Sequence, residues 1–179
     1  PQNPKTPCPR YFIILKMKNG YLTLFAGFFM MIYEGSIFMI GNIAPYVQSY
    51  YPEAMAKDTS SLFALSELTI CLGNFIGSNL VKQGYKTRNL ILGSISIGVA
   101  GVYLASSTKS FGWFVFYFCI IYGLGVGMGY SLILYKAWKF FPGKEGVASG
   151  IVISGFGIGG FIFSEISLQL LNPNGVNPS

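Results

Sequence analysis

Five long apolar runs, separated by short clusters of charged residues, dominate this sequence. A helix of roughly 20 mainly apolar residues crosses the hydrocarbon core of a bilayer. The runs are continuous, without the alternation of apolar and polar residues that a transmembrane β-barrel needs. We therefore predict an all-α, polytopic transmembrane helix bundle of about five helices. The predicted spans are 20–41, 60–81, 89–107, 111–135 and 146–168.

The charge content argues against an ordinary soluble domain. Charged residues make up 10% of the 179 residues and hydrophobic residues 52%, whereas soluble domains have roughly 25% charged residues. The partner that such a surface predicts is the lipid bilayer. The net charge of +6 does not indicate nucleic acid, because the basic residues are clustered between apolar runs rather than along one face.

The distribution of Lys and Arg predicts the orientation of the bundle. With five spans, ten basic residues share the side of the N-terminus, and the other side has Lys57 and Lys109. We expect the N-terminal segment, 1–19, on the cytoplasm-like side, the membrane domain at 20–171, and the tail, 172–179, on the outer side. The membrane is left open between the plasma membrane and an organelle membrane, with the mitochondrial inner membrane as an alternative. Because the sequence begins with Pro1 rather than Met, we also expect a removed segment or a fragment.

Nothing in the sequence indicates catalysis. The chain has no histidine, and its three cysteines are far apart and lack metal-ligand spacing. No nucleophile–base pair or redox motif is present. We therefore predict no enzymatic activity, no catalytic or metal site and no cofactor.

Two acidic residues lie deep within predicted spans. Glu34 and Glu67 are each seven residues from the outer end of their span, which is about 10 Å at ~1.5 Å per residue. A charge near the bilayer centre costs roughly 2.5–3.5 kcal/mol on insertion scales, so such residues usually face a cavity or a partner. Both are candidates for binding substrate or coupling protons. The alternatives are a neutral carboxyl that is hydrogen-bonded between helices and a side chain that reaches the headgroups.

Glycines inside the fourth and fifth spans predict close helix packing. Small residues four apart share one helix face and let two backbones approach. The candidates for this role are Gly123, Gly127, Gly150, Gly155 and Gly159.

Three stretches together resemble the N-terminal half of the major facilitator superfamily, and within it the monocarboxylate transporter and oxalate:formate antiporter branch. The first is Gly35-Ser36-Ile37-Phe38 followed by Pro45-Tyr46. The second is the loop after the second span, with Gly77, Lys82, Gly84, Lys86 and Arg88. The third is WKFFPGKEGVASG at 138–150.

The resemblance implies a gating role for this loop, whose bases and acid help to clamp helices in the family. Here Val81 occupies the acidic position and Tyr85 that of the second arginine, which puts the usual clamp in doubt. A family half has six helices and the full protein about twelve. The resemblance therefore implies a missing C-terminal half, or another membrane chain, as a partner.

Two functions are left open. The first is a secondary transporter of small organic anions, of the monocarboxylate or dicarboxylate type, represented by its first five helices. The second is a transporter-derived structural or accessory subunit of a larger membrane complex, such as a respiratory assembly, without transport of its own. The odd helix number and the altered loop favour the second, and the three motifs favour the first.

Overall fold

The computed structural model describes the backbone of residues 9–52 and 56–171 and the side chains of 19–52 and 61–170. The predicted tail, 172–179, lies outside these residues. All regular elements in the described ranges are helical. They are α1 (Pro9–Glu34), a 3-10 segment (Gly35–Met39), α2 (Ile40–Tyr50), α3 (Ala56–Lys82), α4 (Thr87–Ser106), α5 (Phe111–Val115), a π-helical segment (Phe116–Tyr122), α6 (Gly123–Phe140) and α7 (Glu145–Leu171).

Five continuous helical stretches of the described chain are long and apolar enough to cross a membrane, which confirms the predicted fold class. They are Asn19–Tyr50, Ser61–Lys82, Thr87–Ser106, Phe111–Phe140 and Glu145–Leu170. The first includes α1, the 3-10 segment and α2, and the fourth includes α5, the π segment and α6. The chain is thus an integral membrane protein by its helices.

The first stretch continues to Tyr50 rather than ending at Gly41, where its apolar run becomes weaker. Asn42 is accommodated because its side-chain amide donates to the carbonyl of Ser164 and to the hydroxyl of Ser167, each at 3.2 Å. Both partners are on α7, so α2 is tied to the fifth span. Pro45 lies inside α2 and lacks the N–H that would bond to the preceding turn. The helix therefore continues beyond Gly41 because the polar residue Asn42 makes hydrogen bonds to another helix.

Helices α3 and α6 pack with their backbones in direct contact at glycines. A side chain at Gly127 would overlap the backbone of Ile70, and one at Gly73 would meet the carbonyl of Leu124. Gly123 lies against the hydroxyl of Thr69 in the same way. Such close approach is typical of small residues between membrane helices. The two helices therefore form one tightly packed pair.

The same arrangement recurs between α1 and α7. A side chain at Gly159 would overlap the carbonyl of Ile32, and one at Gly35 would overlap the carbonyl of Phe156. Gly155 is covered by the carbonyl of Phe28. Carbonyl groups thus lie over glycines in both pairs, α3–α6 and α1–α7, and Gly125 of α6 also meets the backbone of α4 at Gly98 and Ser94.

One predicted packing glycine has no such contact among the described residues. Gly150 is exposed, and a Cβ added there would meet no atom within 4 Å. Gly155 and Gly159 lie further along the same helix but face α1. The shared four-residue spacing therefore does not distinguish the covered face of α7 from the uncovered one.

Large apolar side chains cover the outward faces of the bundle. Phe25, Phe75, Tyr103, Phe161 and Leu170 are all at least 63% exposed. Apolar residues in these positions need hydrocarbon rather than water around them. The inside of the bundle is packed with aliphatic and aromatic residues, including Phe114, Phe118 and Tyr122, and with a few polar ones such as Glu34.

Candidate functional site

Glu34 is buried in the bundle, with 2% of its surface exposed. It is the last residue of α1, and the 3-10 segment begins at the next residue. A 3-10 helix has about 3.0 residues per turn instead of 3.6, so side chains rotate to new directions where the helix type changes. Glu34 lies at this change and faces α6 and α4 rather than lipid, as its contacts with Gly129 and its closeness to Ser94 show.

The carboxyl group of Glu34 has few partners. Its Oε1 atom lies against Gly129, where any larger side chain would overlap it, and the hydroxyl of Ser94 is close to the same point. The Ser94 hydroxyl donates to the carbonyl of Ile91 at 2.8 Å, which leaves its own oxygen free to accept a hydrogen bond. The Oε2 atom is buried and has no hydrogen-bond partner among the described residues. Within the described part of the chain, no cation lies close enough to balance an ionised Glu34.

Three tyrosines surround this carboxyl. Tyr33, Tyr122 and Tyr130 come from α1, the π segment and α6, and each is within electrostatic range of Glu34. The phenol oxygen of Tyr33 is buried without a hydrogen-bond partner. The phenol of Tyr122 shares a hydrogen bond of 2.5 Å with the hydroxyl of Ser36. Glu34 is thus the one acidic residue in a set of neutral hydroxyl groups.

The position of Tyr122 depends on the π segment. A π-helical turn has i→i+5 hydrogen bonds instead of the usual i→i+4 bonds. The hydroxyl of Thr69 on α3 donates to a carbonyl of this segment, that of Cys119, at 2.5 Å. Cys119 in turn donates to the carbonyl of Leu62 at 3.6 Å. Helix α3 therefore stabilises the irregular turn that directs Tyr122 toward Ser36.

The hydrogen bond between Tyr122 and Ser36 gives a stability prediction. Replacing Tyr122 with phenylalanine leaves the buried Ser36 hydroxyl without its partner, and we expect a loss of about 1–2 kcal/mol. Equilibrium unfolding in mixed micelles measures it. Tyr117→Phe is the control, because the half-buried Tyr117 stacks on Trp113 and makes no hydrogen bond in the described structure. Equal losses in the two variants would contradict the assigned role of the bond.

The second predicted acid is not brought to this site. Glu67 is half-buried on α3, and it is not among the groups that act on Glu34. Its role in proton coupling stays a prediction. Counting residues along the predicted spans placed both carboxyl groups equally far from the outer surface. In the structure, however, their neighbours differ.

The loop motif lies at one end of α3. Gly77 is buried against α6, where a Cβ would be 2.6 Å from the hydroxyl of Ser131. Gly84 has a φ of +91°, which favours glycine, and makes the tight turn into α4. Lys82, Lys86 and Arg88 are exposed around this turn. The turn thus gathers three cations at one end of the bundle.

A groove of about 390 Å³ runs along α3 and α6 next to this end. Its lining includes Asn74, Ser78, Lys82, Tyr130 and Trp138. Tyr130 belongs both to the groove and to the surroundings of Glu34.

Several residues of the site were not predicted from the sequence. Ser94, Tyr122 and Tyr130 are isolated polar residues in apolar runs, where they look like ordinary packing residues. Ser36 belongs to the first stretch of the family resemblance and follows Glu34 closely in the chain, but the sequence assigned it no role in a site. Tyr122 and Tyr130 are distant in sequence, and contacts between separate helices bring them to Glu34.

The sequence matches a known protein family and several curated proteins. Residues 2–164 match the Major Facilitator Superfamily. The chain is 29% identical to apicoplast pyruvate carrier 1 of Toxoplasma gondii, over 90% of this chain and 36% of that protein. It is 29% identical to monocarboxylate transporter 12 of Xenopus laevis, over 69% of this chain and 26% of that protein.

A third relative, the fujikurins efflux protein of Gibberella fujikuroi, is 30% identical over 72% of this chain and 28% of its own length. The chain therefore spans about a third or less of the curated relatives that it matches. No solved structure matches it. These findings confirm the resemblance drawn from the three sequence stretches, and the chain belongs to the Major Facilitator Superfamily.

Proposed function

We propose that this chain forms the first five helices of a secondary transporter that moves small organic anions, with Glu34 carrying a coupled proton. Two relatives named as a pyruvate carrier and a monocarboxylate transporter support the substrate class. The burial of Glu34 without a partner for Oε2 is the observation that carries the proposal. We also propose that the N-terminus lies on the cytoplasm-like side, as the Lys and Arg distribution predicts.

The surroundings of Glu34 favour proton binding. A buried carboxylate needs a cation or several hydrogen bonds to be tolerated, and the described neighbours are hydroxyl groups and glycine. Binding a proton removes the uncompensated charge. Losing that proton then requires water or a cation to reach the carboxyl, which demands a change in the helices around it. Proton binding and helix rearrangement are linked at this residue.

The charge of the substrate gives a reason for the coupled proton. Moving one elementary charge across a membrane potential of 100 mV involves about 2.3 kcal/mol. A monocarboxylate that crosses together with one proton transfers no net charge, so the membrane potential does not oppose its uptake. A pH gradient then drives accumulation.

The transport path needs more than this chain. In transporters built from repeats, the substrate site lies near the bilayer midplane where the repeats meet. The five helices described here offer one side of such a site. We therefore propose a second helical half, or another membrane chain, as the opposite wall.

Uptake into vesicles tests the proposal. We expect the full-length protein in proteoliposomes to accumulate labelled pyruvate when the outside is acidic, and a protonophore should abolish the accumulation. Labelled glycerol, which is uncharged, is the control and should equilibrate as in empty vesicles. If no small carboxylate is taken up under any gradient, the accessory-subunit function is favoured instead.

A further inference from the structure

The groove between α3 and α6 has a mostly apolar lining that also includes several hydrogen-bond donors without partners in the described structure. Asn74, Ser78 and Tyr130 line it, and none of their side chains makes a hydrogen bond in the described structure. Lys82 also lines it and has no carboxylate partner among the described residues. No acidic side chain belongs to the lining. The groove therefore offers donors and one positive charge, and no negative charge opposes them.

A carboxylate is the group that this lining fits. An ionised carboxylate only accepts hydrogen bonds, at about four lone-pair sites, and its hydrogen bonds to a cation are stronger than those between neutral groups. A lysine provides a compact charge on a flexible stem. Lys82 can therefore bring its ammonium group into the groove from the helix end, while Asn74 and Tyr130 are half-buried and Ser78 is exposed.

The dimensions of the groove suit a small anion. Asn74 and Lys82 are eight residues apart on α3, which is about 12 Å along a helix. The lysine stem takes up part of this length. The remaining space is enough to admit a molecule of a few carbon atoms, and the volume of about 390 Å³ leaves further room around such a molecule.

One residue of the groove also lies near Glu34. Tyr130 lines the groove, packs edge-on against Phe156 at a ring distance of 5.9 Å, and lies within electrostatic range of Glu34. Tyr130 therefore belongs both to the groove and to the surroundings of the buried carboxyl.

We propose that this groove binds the carboxylate group of the transported anion, with Lys82 as its cationic contact and Asn74, Ser78 and Tyr130 as neutral donors. The inference rests on the proposed function, because it names where this half of the transporter holds its substrate. It assigns Lys82 a binding role that differs from the clamping role implied by the loop motif.

Fluorescence of Trp138 tests the inference without requiring transport. The chain has two tryptophans, so Trp113→Phe leaves Trp138, which lines the groove, as the reporter within this sequence. In the full-length protein, any tryptophan outside this sequence is replaced as well. L-lactate is titrated against the protein in detergent micelles, and lactamide, its uncharged amide, is titrated in parallel. We expect a saturable change in emission with lactate and none with lactamide over the same range.

Two charge variants locate the binding. Lys82→Gln should weaken the apparent lactate affinity about tenfold, because it removes one charge-assisted contact. Lys139→Gln is the matched control, since Lys139 is exposed on α6 and does not line the groove; its affinity should stay within about twofold of the parent. An unchanged affinity in Lys82→Gln, an equal response to lactamide, or no saturable response to lactate would each overturn the proposal.

The result separates this inference from the proposed function. Lactate binding at Trp138 in a protein that takes up no carboxylate would support the groove and remove the transport proposal. Pyruvate uptake by a protein whose Trp138 ignores lactate would support transport and remove the groove.

Discussion

Replacing Gly159 with valine is expected to prevent stable folding, with a loss of about 3 kcal/mol or more. A side chain at this position overlaps the backbone carbonyl of Ile32, and backbone atoms cannot move aside as a flexible side chain can. Helices α1 and α7 would have to separate, which also uncovers Gly35 and Gly155. The measurements are the yield of monodisperse protein in detergent and the midpoint of unfolding in mixed micelles.

Gly150→Val is the matched control for this substitution. Both positions are on α7, so the intrinsic helix preference changes equally, but Gly150 is exposed and has open space around it. We expect this variant to remain within about 0.5 kcal/mol of the parent. Gly159→Ala keeps the comparison informative if the valine protein cannot be purified, because its single methyl group meets the same carbonyl. Equal behaviour of the variants at 150 and 159 would refute the close packing of α1 on α7.

Replacing Glu34 with glutamine is expected to abolish pyruvate accumulation driven by a pH gradient, with a reduction of tenfold or more at the vesicle level. Glutamine keeps the size and most of the polarity of the protonated acid but cannot release a proton. The variant should still exchange pyruvate for pyruvate, because exchange needs no net proton movement. Initial rates of gradient-driven uptake and of exchange, measured across external pH, test both expectations.

Two further substitutions of acidic residues are measured in the same uptake experiment. Glu165→Gln changes an exposed carboxyl on α7, so its pH profile should follow that of the parent. Glu67→Gln tests whether the half-buried acid of α3 also takes part. Gradient-driven accumulation by the Glu34→Gln protein at the parental rate would exclude Glu34 as the proton carrier.

The fold class could be predicted from the sequence because it depends on composition over long stretches. Five apolar runs and short polar connections give helices that must cross a bilayer, whatever their detailed packing. The ends of the helices depend on single contacts instead. The first stretch reaches Tyr50 because Asn42 finds partners on α7, and no local pattern reveals a partner that distant in the chain.

The candidate site could be predicted only in part for a similar reason. Depth along a span is readable from residue number, so Glu34 was found as a polar residue in an apolar environment. Which side of a helix becomes buried is not readable in this way, because it depends on how the separate helices pack against one another. Glu34 and Glu67 were therefore equivalent in the sequence, although one is buried and the other is half-buried.

The close packing of carbonyl groups against glycines in the pairs α3–α6 and α1–α7 has a mechanical consequence. Within each of the two helix pairs, backbone meets backbone, so a relative sliding of even part of a turn would drive a carbonyl into the neighbouring helix. Each pair should therefore move as a rigid unit. Relative displacement should then be concentrated at the contact between the two pairs. Glu34 belongs to α1 and touches Gly129 of α6, which places this buried acidic residue at the contact between the two pairs.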